Sequence, residues 1–166
     1  MAAAISVTEY LNTCYRPDCD YVDGQVLERN LGEYEHSRPQ ALVAALLFNQ
    51  EKQRRIVVLI AQRIQVGPNR FRVADVCVLR ADAPYEPIVR TPPLICIEVV
   101  ARNDSFMLLL QRLDDYRAMG VENIWVVDPH KRRGYRYTSE GLLEAKDGIL
   151  RTSNPDLAVP LNALFD

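Results

Sequence analysis

The four cysteines of this 166-residue chain, Cys14, Cys19, Cys77 and Cys96, contain no CxxC pair. The ligand spacing of a structural zinc site is therefore missing, and reduced, mostly buried thiols are expected in place of a disulfide framework. Long apolar runs are missing too. None approaches membrane-spanning length, and "MAAAISVTEY" at the start has neither the basic region nor the apolar stretch of a secretion signal. A cytoplasmic protein with no membrane association is expected. Nor is there an excess of positive charge. A net charge of −2 argues against a surface coated for nucleic acid, although a local basic groove stays open, with "KQRR" (52–55), "RFR" (70–72) and "KRR" (131–133) as its candidates.

What is there is an ordinary globular composition, 48% hydrophobic and 25% charged, with no internal repeat. A chain of this length can enclose one core without staples, so residues 1–166 are read as a single domain. Ser6 followed by Glu9 has the form of a capping box and opens a short helix. "YVDGQVLER" places Asp23-Gly24 between two alternating arms, which predicts a hairpin with a type I′ turn. A long helix is expected from Tyr34 to Arg54, with Pro39 in its first turn or so. Two strands, "IVVLIAQRIQV" and "FRVADVCVLR", follow as a hairpin around "GPNR".

After the Pro-rich loop "ADAPYEPIVRTPP" come the strand "LICIEVV", a helix from Phe106 to Met119 ended by Gly120, and the strand "NIWVVDP". "GYRYTSEGLLEA" and "GILRT" read as a closing hairpin or meander, and "LAVPLNALF" as an irregular packed end. The order gives an α+β fold, a sheet with helices against it.

One residue disturbs this plain picture. Glu98 stands inside the apolar run "LICIEVV", and a carboxylate is almost never buried without a partner. Alternation puts Val73, Asp75, Cys77 and Leu79 on one strand face, and Cys96, Glu98 and Val100 on one face of theirs. If the two strands are antiparallel neighbours and Asp75 faces Glu98, Cys77 must oppose Cys96, since both pairs have the same index sum. Two facing carboxylates repel unless a shared proton, a nearby Arg or Lys, or a divalent cation neutralises them. Mg²⁺ takes one or two carboxylates with water. Local pairing of each acid at a strand end fits the periodicity equally well.

"FRVADVCVL", "LICIEVVARND" and "QRLDDYRAMGVENIWVVDP", with "DYVDGQVLERNLGEYEHS" upstream, resemble the successive motifs of the Uma-two family, a restriction-endonuclease-like branch of the PD-(D/E)XK nuclease superfamily. The resemblance runs from about Asp20 to Pro129. It implies a restriction-endonuclease-like core, a mixed central β-sheet flanked by helices, and an endonuclease that hydrolyses DNA phosphodiester bonds with Mg²⁺ or Mn²⁺. It implies metal ligands at Asp75, Glu98 and the main-chain carbonyl of Val99, with an early acid as a further ligand. Glu28 is the first choice there, ahead of Glu33 and Glu35.

His36 falls at the family's helix-start histidine, where it can orient water or contact phosphate. Gln62 is a further candidate to line the pocket. Departures from the pattern matter as well. Ala74 replaces the motif Pro, Val100 stands where the superfamily has Lys, and Leu108 where relatives often have Asp. Arg112 takes the place to which the Lys migrates; it can fork onto a phosphate but cannot serve as a base. These departures keep open an alternative, a catalytically weak or inactive nuclease-fold protein that binds nucleic acid or a protein partner. A homodimer is also expected, from the apolar C-terminal strands and the single Trp125.

Overall fold

The computed structural model describes residues 3–29 and 32–165. In chain order its elements are α1 (Val7–Asn12), β1 (Asp20–Val22), β2 (Gln25–Leu27), α2 (Tyr34–Phe48), α3 (Glu51–Arg54), β3 (Ile56–Gly67), β4 (Arg70–Arg80), β5 (Ile95–Val99), α4 (Phe106–Met119), β6 (Asn123–Asp128), β7 (Arg133–Thr138), β8 (Gly141–Glu144), β9 (Ile149–Ser153) and β10 (Asp156–Pro160), closed by a 3₁₀ turn at Leu161–Leu164. The main sheet runs β2-β1-β4-β5-β6-β7-β8, with β3 on the other edge of β4. All its neighbours are antiparallel except β5 and β6, which α4 connects. This is the mixed α+β sheet that the sequence suggests.

Local chemistry sets the element ends. The Ser6 side chain accepts from the Glu9 N–H, capping α1. Asp23 and Gly24 both have positive φ, 48° and 93°, which is what a type I′ turn requires. Ser105 caps α4, and Gly120 ends it at φ 98°.

The long helix expected from Tyr34 to Arg54 is divided. Gln50 turns its side-chain amide back onto the Leu46 carbonyl at 3.0 Å and its own N–H onto Leu47 at 2.9 Å, so the helical ladder stops and a short α3 follows. Pro39 is the sixth residue of α2, in its second turn. The tail is more regular than expected. Leu157 and Val159 are buried in β10, which pairs with β9 in a second sheet of two strands.

The main sheet carries apolar side chains on both faces. Val43 and Leu47 of α2 pack on Val76, Val78, Ile95, Ile97 and Trp125. Leu109, Leu113 and Tyr116 of α4 pack on Cys77, Cys96, Ile124 and Val126. Trp125 is fully buried in the first of these layers, so it supplies no dimer surface. A third cluster of Tyr10, Tyr21 and Phe71 pins the β1–β2 hairpin. "RFR" is not a basic surface run either: Arg72 is 2% exposed, because its position on β4 turns it into the interior.

Candidate functional site

The pairing of β4 with β5 matches Val76 to Ile97, Cys77 to Cys96 and Val78 to Ile95. This is the register in which Asp75 comes next, across from Glu98. Both acids are inside the protein, at 1% and 0% exposure. A buried pair of like charges needs neutralising groups, and here the neutraliser is arginine. One nitrogen of the Arg29 guanidinium, Nη2, lies 3.3 Å from Asp75 Oδ1 and 2.6 Å from Glu98 Oε2. Its other terminal nitrogen donates to the Val73 carbonyl.

Helices on either side complete the shell. His36 and Gln40 are one turn apart on α2 and therefore share a face. His36 Nε2 is 3.2 Å from Asp75 Oδ2, and Gln40 Nε2 donates to the Asp75 carbonyl at 3.0 Å. Asp75 Oδ2 also accepts the Val99 N–H at 2.8 Å. Arg112 and Tyr116 repeat the same spacing on α4. Arg112 Nη1 is 3.2 Å from Glu98 Oε2, and the Tyr116 hydroxyl donates to Glu98 Oε1 at 2.6 Å.

The network extends toward the β1–β2 hairpin. Arg112 Nε donates to Asp20 Oδ2 at 3.2 Å, Arg72 pairs with Asp20 at 3.1 Å and with Asp115 at 2.7 Å, and Arg70 joins Asp115 at 2.9 Å. Arg112 is thus bound to Glu98 and Asp20, while Asp115 serves Arg72 and Arg70.

The surroundings push the two acids apart. Burial raises both, but at Asp75 the Arg29 charge and the His36 contact outweigh it and hold the carboxyl near 2. At Glu98 burial prevails over Arg29 and Arg112, the charge of Asp75 adds to it, and the pKa is pushed up to about 7.

Of the residues singled out from sequence, Asp75, Glu98, Arg112 and His36 meet here, and Val99 reaches the site through its N–H. Glu28, Glu33 and Glu35 are exposed. It is the neighbour of Glu28, Arg29, that turns inward. Gln62 donates to the Arg63 and Pro87 carbonyls instead of lining the pocket. Arg29, Asp20, Gln40 and Tyr116 were not foreseen as site residues. The i, i+4 spacing of Arg112 with Tyr116 and of His36 with Gln40 was the signal available for two of them.

Two carboxylates are the donor type a hard cation takes. With Arg29 seated, however, all four carboxylate oxygens of the pair have protein partners. Among the described residues no group of three or more His, Cys, Asp and Glu side chains is gathered for a metal ion. With Arg29 bridging the pair, a divalent cation has no free carboxylate oxygen to bind between Asp75 and Glu98.

The model of the Uma2 family, described as "Putative restriction endonuclease", matches residues 7–162. The chain belongs to the Uma2 family. A crystal structure from Anabaena variabilis ATCC 29413, described as "a putative nuclease belonging to DUF820", superposes with a TM-score of 0.82 at 17% identity, covering 97% of each chain. That likeness shows that this Uma2 protein shares the fold of that structure. None of the curated proteins compared matches it. Among the described residues no helix is long and apolar enough to cross a membrane.

Proposed function

We propose that this Uma2 protein is an endonuclease that hydrolyses DNA phosphodiester bonds at the Asp75–Glu98 site, with Mg²⁺ or Mn²⁺ as the cofactor its family implies. The observation that carries the reading is the buried acid pair itself, set side by side on two central strands in a member of a restriction-endonuclease family. Arg112 is a fixed positive charge, its pKa raised further above the ordinary value because the charges of Glu98 and Asp20 outweigh burial. It suits stabilisation of developing phosphate charge and not proton transfer. His36, with Nε2 3.2 Å from Asp75 Oδ2, stands where an imidazole can orient water or contact phosphate.

The test is nicking of supercoiled plasmid in Mg²⁺ and in Mn²⁺ by wild type and by the Asp75→Asn, Glu98→Gln double variant, which keeps side-chain shape. Wild type is expected to nick and the variant to be inactive. Equal nicking by both would place the activity elsewhere.

A second reading has its own observation. Every oxygen of the pair is engaged, and Val100, Leu108 and Arg112 replace family polar residues. These features suit a nuclease-fold protein that binds nucleic acid or a protein partner without cutting. Retention of labelled DNA in a gel shift, with no cleavage by wild type under either metal, supports that reading.

A further inference from the structure

The acids of the site and its bridging arginine are delivered by very different parts of the fold. Asp75 and Glu98 lie on β4 and β5, in the middle of the sheet. Arg29 lies two residues beyond β2, the outermost strand on its side, and β1 joins the hairpin to β4 through only two matched pairs, Tyr21 with Phe71 and Val22 with Arg70. Withdrawal of Arg29 therefore leaves the sheet and both helical layers intact, whereas Asp75 and Glu98 cannot move without unmaking the core.

The seat of Arg29 is also imperfect. Its side chain is 4% exposed, yet its Nε has no hydrogen-bond partner among the described residues. A buried donor left unsatisfied offsets part of what the two ion pairs contribute.

Resting on the proposed use of this acid pair, we propose that Arg29 is an internal counter-ion occupying the place of the divalent cation, so that the ion and the guanidinium bind the Asp75–Glu98 pair in mutually exclusive fashion. The closed form is held by Arg29, and the site becomes competent for metal only when that side chain withdraws. Apparent affinity for an ion falls in proportion to the fraction of molecules in the competent state. If the open fraction is about one in ten or less, deleting the guanidinium tightens ion binding by on the order of tenfold or more.

The experiment is calorimetric titration of Mn²⁺ into wild type, Arg29→Gln and Arg29→Ala, with thermal unfolding of each followed with and without Mn²⁺. The expected result is single-site binding at least tenfold tighter in both variants than in wild type, with Mn²⁺ raising their melting temperatures by more than it raises that of wild type. Low millimolar guanidinium should weaken Mn²⁺ binding to Arg29→Ala by competing for the vacated place, and should leave wild type unaffected. Equal or weaker binding in the variants overturns the proposal, as does absence of binding in all three proteins. Variants that remain unfolded in saturating Mn²⁺ overturn it too, because the ion would then be unable to replace the side chain.

The outcome is separable from plasmid nicking. Tighter Mn²⁺ binding without cleavage upholds the counter-ion and removes the nuclease, and wild-type cleavage without any gain in the variants does the reverse.

Discussion

Replacing Glu98 with glutamine should change how stability depends on pH more than it changes stability at any one pH. Glu98 is fully buried, and its carboxyl is raised from 4.5 to about 7 because burial, with the charge of Asp75 added, outweighs the pull of Arg29 and Arg112. The folded state thus holds this proton more tightly than the unfolded chain does. Its contribution is fully present below about pH 4.5 and is lost as pH rises through about 7. At ~1.4 kcal/mol per tenfold in proton affinity, the loss across that interval is ~3 kcal/mol. The glutamine amide has no proton to lose in this range, and the Tyr116 hydroxyl, which donates to the carboxylate at 2.6 Å, can accept from the amide instead. The assay is urea unfolding of wild type and Glu98→Gln from pH 4.5 to 8.5, taking the difference at each pH so that other titrating groups cancel. Wild type should fall relative to the variant by ~3 kcal/mol over this range. A flat difference, or one of opposite sign, would refute the claim that the pair carries one proton near neutrality.

Two further substitutions probe the frame around the site. Arg72→Met leaves Asp20 and Asp115 with one cation fewer in the interior; an unfolding free energy lower by ~3 kcal/mol is expected, since each acid keeps a second arginine, with partial recovery on adding Asp20→Asn. Gly134→Ala would put a Cβ 2.6 Å from Leu161 Cδ2 and 3.3 Å from Leu150 Cδ1. Thermal unfolding should show a loss of ~1–3 kcal/mol that shrinks in the Gly134→Ala, Leu161→Ala double variant.

What the sequence made legible was local or arithmetical. The Asp23-Gly24 turn, the Ser6 and Gly120 caps and the β3–β4 hairpin follow from short-range chemistry. The Asp75–Glu98 register follows from strand parity, with Cys77 opposite Cys96 as its check. Arg29 was not legible, because nothing in "VLERN" distinguishes an arginine that enters the interior from a glutamate beside it that stays outside. That choice is made by charges on strands far along the chain, as the Arg29 contacts to Asp75 and Glu98 show. β10 was missed for a related reason. Pro155 and Pro160 flank a short segment whose strand character comes from pairing with β9 and packing near α2, and local pattern does not report that. The three possible neutralisers of the acid pair were enumerable from sequence, and the choice among them required the fold.

The account turns on what lies between Asp75 and Glu98. Anomalous diffraction from wild-type crystals, grown without divalent ions and then soaked in saturating Mn²⁺, tests it most directly. Arg29 should bridge the two carboxylates before the soak, and afterwards a single anomalous peak should take its place with the guanidinium swung out. A Mn²⁺ ion bound by both acids while Arg29 keeps its contacts, or carboxylates too far apart for either cation to bridge, would contradict it.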